Sequence, residues 1–431
     1  MVVLAQPAQA EPFAYITNYN DNTVSVIDTA GNPPSVSATV AVGIRPVGVA
    51  VTPDGSRVYV ANSNVFGTVS VINTADNSVS ETVAVGNYYP WGVAVTPDGS
   101  KVYVTNNNVF GTVAVINTAD NSVSATVTVG NYPFGVAVTP DGSRVYVANQ
   151  GSGTVSVIDA GSNTISATVV VGNAPLGVAV TPNGSRVYVG NISNTVSVIN
   201  TADNSVSATV PVGINPEGVA VTPDGSRVYV ANWGSGTVSV IDTASNSVSA
   251  TVTVGDYPYG VAVTPDGSQV YVANGNSGTV SVINTNDNSV TTPVTGLNGP
   301  VGFGQFIKPA TTDNTPPTCT VSATPNTLRS PNHKLVNIIT TVNVSDSGSG
   351  PNGFKLLSIS SSEADVGLGS DEVAGDIQGW IVNTPDTAGQ LRNERYAKAG
   401  RTYTFTYQAR DLAGNTGNCS TTVKVPNNQR K

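Results

Sequence analysis

Short runs of alternating apolar and polar residues recur along residues 11–308 of the chain. In one representative period, residues 48–86, the runs read GVAVTP, RVYVAN, TVSVINT and SVSETVAVG. Alternation with a period of two, in runs rich in Val, Ile and Thr, is typical of β-strands. Pro-Asp-Gly-Ser separates the first two runs and Asp-Asn-Ser separates the last two, and both sequences favour tight turns. The pattern therefore predicts an all-β chain built from four-stranded units.

The tetrapeptide Tyr-(Val/Ile)-x-Asn marks each unit, and its seven copies are spaced by 41 to 44 residues. Units of this length either stack as an open array or close into a propeller. The chain enters the pattern at the second run of a unit, within residues 11–18, and the repeats end with an extra first run, GPVGFGQFI, at residues 299–307. A split unit is expected in a ring, because it joins the first blade to the last. We therefore predict a seven-bladed β-propeller over residues 11–308, closed by a split first blade.

The quoted repeat, VAVTPDGSRVYVAN followed by GTVSVIDT, resembles the YVTN family of β-propeller repeats of bacterial and archaeal surface and secreted proteins. Its layout is also similar to that of WD repeats. The resemblance covers roughly residues 11–308 and implies a fold more firmly than a function. It also implies that the Pro-Asp-Gly-Ser and Asp-Asn-Ser turns lie on one face, the bottom face. The loops between second and third strands and between units then lie on the opposite, top face.

The top loops vary between units, whereas the bottom turns are nearly the same in every unit. Most aromatic residues outside the repeated tyrosine collect in these top loops, beside Asn and Gly. Such a surface is typical of ligand recognition, because flat rings offer contact area at low entropic cost. For Trp91 and Phe134, next to the repeated Pro-x-Gly, the alternative is a plug at the top of the central channel. The predicted ligand-binding residues are Tyr19, Phe66, Tyr88, Tyr89, Trp91, Phe110, Tyr132, Phe134, Glu217, Trp233, Tyr257 and Tyr259.

Some seven-bladed propellers are lactonases, lyases or quinoprotein dehydrogenases, whose sites need a metal held by His or carboxylates, or a His base. The repeat region contains no histidine and no cysteine, since the one histidine of the chain is His333. The unrepeated charges of the top loops are Arg45, Glu217 and Asp256. They either converge on a divalent ion or lie solvated at the rim. The sequence argues against catalysis, and we predict no catalytic residue.

Composition narrows the partners and the location. A net charge of −9, with 10% charged residues, argues against nucleic acid as a partner. No apolar run approaches the length that spans a bilayer. An apolar stretch ending in Ala8-Gln9-Ala10 predicts a signal-peptide remnant at residues 1–10, the alternative being a plain apolar terminus. We therefore expect a secreted or cell-surface protein, extracellular or periplasmic.

A linker rich in Pro, Thr and Asn, residues 309–317, leads to a second β-rich region at residues 318–426 and a tail at 427–431. Cys319 and Cys419 lie on its first and last predicted strands and suggest a disulfide, the alternative being two thiols. The region resembles an immunoglobulin-like module, which implies a β-sandwich that acts as a spacer, stalk or adhesion unit.

One acidic, glycine-rich loop of this region is a candidate calcium site, because hard oxygen ligands in a flexible loop suit Ca²⁺. The alternative is a solvated acidic loop, and no other cofactor is predicted. His333 is predicted to be a turn residue bonded to backbone. The candidate calcium ligands are Glu363, Asp365, Asp371 and Asp376, with Glu372 beside them.

These observations favour a secreted or cell-surface binding and scaffold protein whose aromatic top face recognises a protein or carbohydrate ligand. Two alternatives stay open. One is a propeller enzyme of the lactonase or lyase type with a divalent metal at the central channel. The other is a purely structural cell-wall or matrix component.

Overall fold

The computed structural model describes residues 13–31, 33–86, 88–308, 316–328, 334–345, 351–363, 376–393, 400–411 and 416–426. The chain divides into two compact units, of which one is residues 11–310 and the other includes residues 311–431. The structure is all-β, as predicted, and the described residues contain no helix long and apolar enough to cross a membrane. The predicted signal remnant, most of the linker, and His333 lie outside the described residues.

The first unit is a seven-bladed β-propeller in which consecutive strands pair antiparallel within each blade. Blades 1 to 3 contain β1 (Phe13–Asn18), β2 (Thr23–Asp28), β3 (Ser35–Ala41); β4 (Pro46–Val51), β5 (Arg57–Asn62), β6 (Thr68–Asn73), β7 (Ser78–Ala84); β8 (Pro90–Val95), β9 (Lys101–Asn106), β10 (Thr112–Asn117) and β11 (Val123–Thr128). Blades 4 and 5 contain β12 (Pro133–Val138), β13 (Arg144–Asn149), β14 (Thr154–Asp159), β15 (Thr164–Val170); β16 (Pro175–Val180), β17 (Arg186–Asn191), β18 (Thr195–Asn200) and β19 (Ser205–Pro211). Blades 6 and 7 contain β20 (Pro216–Val221), β21 (Arg227–Asn232), β22 (Thr237–Asp242), β23 (Ser247–Thr253); β24 (Pro258–Val263), β25 (Gln269–Asn274), β26 (Thr279–Asn284) and β27 (Val290–Val294).

In five of its seven copies, the repeated tyrosine bonds to the neighbouring blade. All seven copies are buried, with at most 1% of their surface exposed. In blade 2, the Tyr59 hydroxyl donates to Asn121 Oδ1 of blade 3 at 2.8 Å. Asn121 belongs to an Asp-Asn-Ser turn and has a φ of 54°, a conformation that Asn tolerates better than most residues. In the same pair of blades, Arg57 Nη1 donates to the Thr118 carbonyl oxygen at 2.6 Å. Repetition of the sequence thus repeats this bond between most adjacent blades. The Tyr229 hydroxyl has no hydrogen-bond partner among the described residues, and the Tyr271 hydroxyl donates to Gln269 of its own blade at 3.2 Å.

The ring closes through the split first blade, as the sequence predicts. Residues 299–307 run antiparallel to β1, with bridges from Ala14 to Ile307 and from Asn18 to Pro300. They are less regular than the predicted strand, because Gly302 and Gly304 have positive φ values of 52° and 121°. The segment leaves β1 between the two bridges and turns toward blade 2.

There it bonds to the inner strand of blade 2. Val49 N donates to the Phe303 carbonyl oxygen at 2.9 Å, and Val51 N donates to the Gln305 carbonyl oxygen at 3.1 Å. The closing segment, at the end of the propeller sequence, therefore bonds both to the first strand of blade 1 and to the inner strand of blade 2.

The second unit consists of two antiparallel sheets, ordered β28-β29-β32-β31 and β30-β33-β34. A disulfide between Cys319 of β28 and Cys419 of β34 links the two sheets, with a Cα–Cα distance of 5.6 Å, and confirms the predicted pairing. Tyr403, Phe405 and Tyr407 of β33 lie buried between the sheets. The strands are β28 (Thr318–Thr324), β29 (Leu335–Ser345), β30 (Pro351–Ser361), β31 (Ile377–Gln378), β32 (Ala388–Arg392), β33 (Arg401–Asp411) and β34 (Thr416–Val425).

Candidate functional site

Each inner strand carries a Pro-x-Gly motif, and residue x of this motif differs between blades. Residue x lies where the regular pairing between the inner strand and the second strand is interrupted. In blade 2 the register between the first two strands breaks between Pro46 and Val49. The glycine of the motif approaches the next blade so closely that a Cβ on Gly48 would lie 1.8 Å from the Trp91 carbonyl oxygen. Only glycine allows this approach. The seven x side chains therefore surround the central channel: Val47, Trp91, Phe134, Leu176, Glu217, Tyr259 and Val301.

Part of this ring fills the channel with a hydrophobic plug. Phe134 is 8% exposed, and its ring centroid lies 4.3 Å from that of Trp91. Phe303, from the closing segment, packs edge-on against Phe134 at 5.5 Å. Leu176 and Val301 belong to the same buried cluster. Phe303 was not among the predicted site residues, because it enters the channel only through the irregular path of the closing segment.

A cavity of about 340 Å³ opens beside the plug on the top face, and four of the predicted aromatic residues line it. They come from blades 1, 3 and 7, so residues far apart in sequence form one wall. Its lining also includes backbone and amide groups that the sequence analysis did not single out. The lining residues are Tyr19, Asn20, Val47, Trp91, Tyr257, Tyr259, Gly275, Asn276, Gly299 and Val301.

Trp233 supports this wall from behind and does not line the cavity. Its indole stacks on Tyr257 with centroids 4.4 Å apart and an interplanar angle of 18°. It also lies at 6.5 Å from Tyr259 in a tilted arrangement. This packing restricts the orientation of both tyrosine rings.

Glu217 is the acidic member of the channel ring. The residue keeps some exposed surface, but its Oε2 atom is buried and has no hydrogen-bond partner among the described residues. Burial raises the pKa of the Glu217 carboxyl to about 8, so it is mainly protonated at neutral pH. The indole Nε1 of Trp91 is likewise buried without a partner in the described part of the chain.

Tyr259, the neighbour of Glu217 in the ring, connects that carboxyl to the cavity. Burial raises the pKa of the Tyr259 phenol, and an interaction with the Trp233 indole acts in the opposite direction. The charges of Glu217, Tyr19 and Tyr257 raise the pKa further. These groups are therefore close enough to interact electrostatically, and any charge on Glu217 acts on the cavity wall.

The other two unrepeated charges lie at the rim. Arg45 is exposed, and its guanidinium carbon lies 5.7 Å from the centre of the Tyr19 ring. Asp256 is exposed, and its backbone N–H donates to Ser277 Oγ at 2.7 Å. Within the described ranges, no three His, Cys, Asp or Glu side chains form a group suited to a metal ion.

The remaining predicted aromatics lie away from the cavity lining. Phe66 and Phe110 occupy identical Asn-Val-Phe-Gly loops of blades 2 and 3 and are 75% and 80% exposed. Tyr88, Tyr89 and Tyr132 are exposed as well. The top face thus carries a cavity and, separately, a set of exposed rings on blades 2 to 4.

Of the candidate calcium ligands, only Glu363 and Asp376 lie within the described residues, and Asp365, Asp371 and Glu372 lie outside them. Asp376 is 1% exposed and forms ion pairs with Arg392 Nε at 3.1 Å and Arg401 Nη1 at 2.5 Å. Both of its carboxylate oxygens therefore face guanidinium groups. Calcium binding by this loop stays a prediction.

Comparison with known proteins gives the following similarities. The family model "Lactonase, 7-bladed beta-propeller" matches residues 66–180 and 167–302. The hydrazine synthase of Kuenenia stuttgartiensis is 24% identical, with a TM-score of 0.58 over 67% of this chain and 98% of that one. A functionally unknown protein from Desulfotomaculum acetoxidans DSM 771 is 19% identical, with a TM-score of 0.60 over 67% and 97%. At these identities the two structures show the fold alone. No curated protein matches the sequence.

Proposed function

Because the chain belongs to the lactonase-type seven-bladed β-propeller family, we propose that its top-face cavity is a binding site for a small ligand. One observation carries the proposal: rings from three blades line a cavity of about 340 Å³ at the mouth of a plugged channel. This volume lies within the range of small-molecule sites, which are mostly apolar with a few polar groups. The plug makes the cavity a pocket with a floor rather than a passage.

The polar groups of the cavity favour recognition of a ligand that combines a flat or apolar face with hydrogen-bonding groups. Asn20 and Asn276 contribute exposed amides beside the rings. Tyr259 contributes a phenol that burial keeps neutral. A sugar ring or a short peptide satisfies this description.

Tryptophan fluorescence offers a direct test, because Trp91 lines the cavity and Trp233 stacks on its wall. A glycan array and a small-molecule panel would be screened with the full chain, and hits titrated by fluorescence. Tyr257→Ala should weaken binding by about fivefold or more.

Tyr132→Ala provides a matched control for this test. Tyr132 and Tyr257 both precede proline, have φ values of 49° and 54°, and are 43% and 42% exposed. Only Tyr257 lines the cavity. Equal losses for the two variants, or a ligand that leaves tryptophan fluorescence unchanged, would contradict the assignment of this cavity.

A second function, hydrolysis of a lactone, is favoured by the family match. The chemistry requires water to attack the carbonyl carbon and a proton to reach the leaving ring oxygen. Glu217 is protonated at neutral pH and would give its proton to that oxygen as the C–O bond breaks. The attacking water would then return a proton to the carboxylate.

A panel of five- and six-membered lactones, followed by acid release at constant pH, tests this second function. Hydrolysis above the buffer rate that is lost in Glu217→Gln would support it. Rates equal to buffer for the whole panel would rule it out for those substrates.

The exposed rings of blades 2 to 4 support a further proposal, that a larger protein or glycan partner docks beside the cavity. Phe66 and Phe110 are its anchors, because large exposed rings dominate contact energy when covered. The Cys319–Cys419 bond supports a location outside the cell or in the periplasm, because disulfides form in oxidising compartments. The disulfide-linked sheets of the second unit are consistent with an immunoglobulin-like spacer.

A further inference from the structure

Aromatic rings line the cavity, and neither Lys nor Arg is among its lining residues. Tyr19, Trp91, Tyr257 and Tyr259 line it. The face of each ring carries negative potential and attracts a cation that lies over it. Rings that line one cavity from several blades can add their potentials, as the rings of an aromatic cage do.

Carboxyl groups near the channel and at the rim add to this potential when they are ionised. Glu217 occupies the channel position next to Tyr259, with Oε2 buried and unpaired among the described residues. Asp256 precedes Tyr257 and is exposed. Asp21 follows Asn20 and accepts a hydrogen bond from Asn298 Nδ2 at 2.6 Å. A buried acceptor without a partner costs free energy, and a positively charged ligand nearby would offset that cost.

One cation already uses this potential. The exposed guanidinium of Arg45, from blade 2, lies over the ring of Tyr19, from blade 1, at 5.7 Å. Arg45 forms no ion pair among the described residues, and its guanidinium lies against the Tyr19 ring. A ligand cation entering the cavity would compete with Arg45 for this face.

Resting on the ligand site proposed above, we propose that the cavity selects organic cations of the alkylammonium class, with the aromatic rings as cage and Glu217 as counter-charge. An uncharged ligand would leave the Glu217 carboxyl buried and unpaired. An alkylammonium group has no N–H or few N–H groups to satisfy, so a wall made mainly of rings suits it. The cavity thereby discriminates by charge more than by hydrogen-bond pattern.

Binding of a cation should also displace a proton from Glu217. The Tyr259 phenol interacts electrostatically with this carboxyl and also with Tyr19, Tyr257 and the Trp233 indole. Arg45 and Asp256 are exposed at the rim. The Glu217 carboxyl has a pKa of about 8 when the site is free. A bound cation favours the ionised carboxylate and lowers that pKa. Affinity should therefore rise with pH and level off above about 8.

Calorimetric titration of the full chain with choline and with its neutral isostere, 3,3-dimethylbutan-1-ol, tests the proposal at pH 7. The two probes have the same shape and differ in one charge. Choline should bind about tenfold tighter. Titrations in buffers of different ionisation enthalpy should show release of most of one proton per choline bound.

Three variants test whether Glu217 and Arg45 determine the preference for choline. Glu217→Gln, which resembles the protonated carboxyl in shape, should remove the proton release and reduce the preference for choline to about twofold or less. Arg45→Gln should strengthen choline binding, because it removes the competing cation. Asp203 is an exposed carboxyl in a bottom turn, so Asp203→Asn should change neither the proton release nor the preference for choline. Unchanged melting temperatures would show that the variants are folded.

The results of these experiments distinguish the proposed cation selectivity from the proposed ligand site. Equal binding of the two probes, or a preference for choline that survives in Glu217→Gln, overturns the cation selectivity but leaves the cavity as a ligand site. Binding of saccharides with no binding of choline does the same. If neither probe nor any saccharide alters tryptophan fluorescence, the inference and the proposed function both fail.

Discussion

The channel residue between Pro and Gly varies from blade to blade because the backbone at this position accepts side chains of different size and charge. The position between Pro and Gly holds Val, Trp, Phe, Leu, Glu and Tyr in different blades. The glycine that follows is fixed by its approach to the next inner strand, as at Gly48. The variable side chain has left the β ladder, so neither strand pairing nor blade packing selects its size or charge. Single substitutions in this ring can therefore change the channel without changing the fold.

Phe134→Ala and Phe110→Ala form a matched pair at this scale. Phe134 is 8% exposed and contacts the rings of Trp91 and Phe303, whereas Phe110 is 80% exposed. Truncating Phe134 should lower the free energy of unfolding by about 3–5 kcal/mol, because it leaves a cavity in the plug. Truncating Phe110 should change it by about 0.5 kcal/mol or less. Urea unfolding measures both, and similar losses would contradict the assignment of Phe134 to the plug.

Glu217 should make the stability of the propeller depend on pH. Burial raises the pKa of its carboxyl from 4.5 to about 8, so the folded state holds a proton that the unfolded state releases. The stability that this proton linkage contributes is complete below pH 4.5 and is lost as pH rises through 8. The loss is at most about 5 kcal/mol. Glu217→Gln removes it.

The measurement is urea unfolding of both proteins at several pH values between 4 and 9. The difference in unfolding free energy, wild type minus Glu217→Gln, should fall steadily across that range. Parallel pH curves for the two proteins would show that the carboxyl is not buried in the folded state.

At the scale of elements, the bottom turns show how a repeated sequence repeats a structure. Asp98 accepts hydrogen bonds from Thr96 Oγ1 at 2.5 Å and from Ser100 N at 3.0 Å. Gly99 has a φ of 71°, which other residues rarely adopt. In blade 5 the turn has Asn183 in place of Asp and keeps the bond from Thr181 Oγ1, at 2.8 Å. The turn therefore requires an acceptor rather than a charge.

Asp98→Ala should destabilise the propeller by about 1 kcal/mol, while Asp98→Asn should cost less than half as much. Hydrogen bonds from Thr96 and Ser100 lower the pKa of Asp98 to about 2. Its stabilising effect is therefore complete above the ordinary value of 3.8 and is lost as pH falls through about 2. Thermal unfolding at pH 7 and pH 3 compares the variants. An Asn variant as unstable as the Ala variant would show that the charge itself matters.

At the scale of the whole molecule, ring closure depends on residues nearly 300 positions apart. Tyr15 N donates to the Phe306 carbonyl oxygen at 2.8 Å, and Val301 N donates to the Thr17 carbonyl oxygen at 2.9 Å. Phe306 is fully buried in the cluster that joins blades 7, 1 and 2. The same segment supplies Phe303 to the plug, so the residues that close the ring also form part of the channel floor.

Replacing residues 299–307 with a Gly-Ser segment of equal length should therefore weaken both the closure of the ring and the plug in the channel. The propeller should lose more than about 5 kcal/mol of stability, because Phe303, Phe306 and Ile307 are all buried. Calorimetry of the full chain measures it, with the transition of the second unit as internal control. A propeller transition at an unchanged temperature would contradict closure through this segment.

The sequence by itself determined the elements, their order and their number. A period of two within runs predicts strands, turn residues between runs predict hairpins, and the split unit predicts a closed ring. These inferences succeed because strand pairing, turn conformation and the Tyr59–Asn121 type of contact between blades are set by local or repeated interactions. The disulfide between Cys319 and Cys419 could be predicted for a similar reason, since it joins the first and last strands of one unit.

Only the tertiary structure decided which aromatic residues meet. Twelve residues were predicted on one face, yet Tyr19, Trp91, Tyr257 and Tyr259 line the cavity, while Phe66 and the other exposed rings lie apart. The position of a side chain on a loop depends on backbone conformation and on contacts with other blades, which no local pattern encodes. For the same reason, the burial of the Glu217 carboxyl and the entry of Phe303 into the channel follow from the closure of the whole ring.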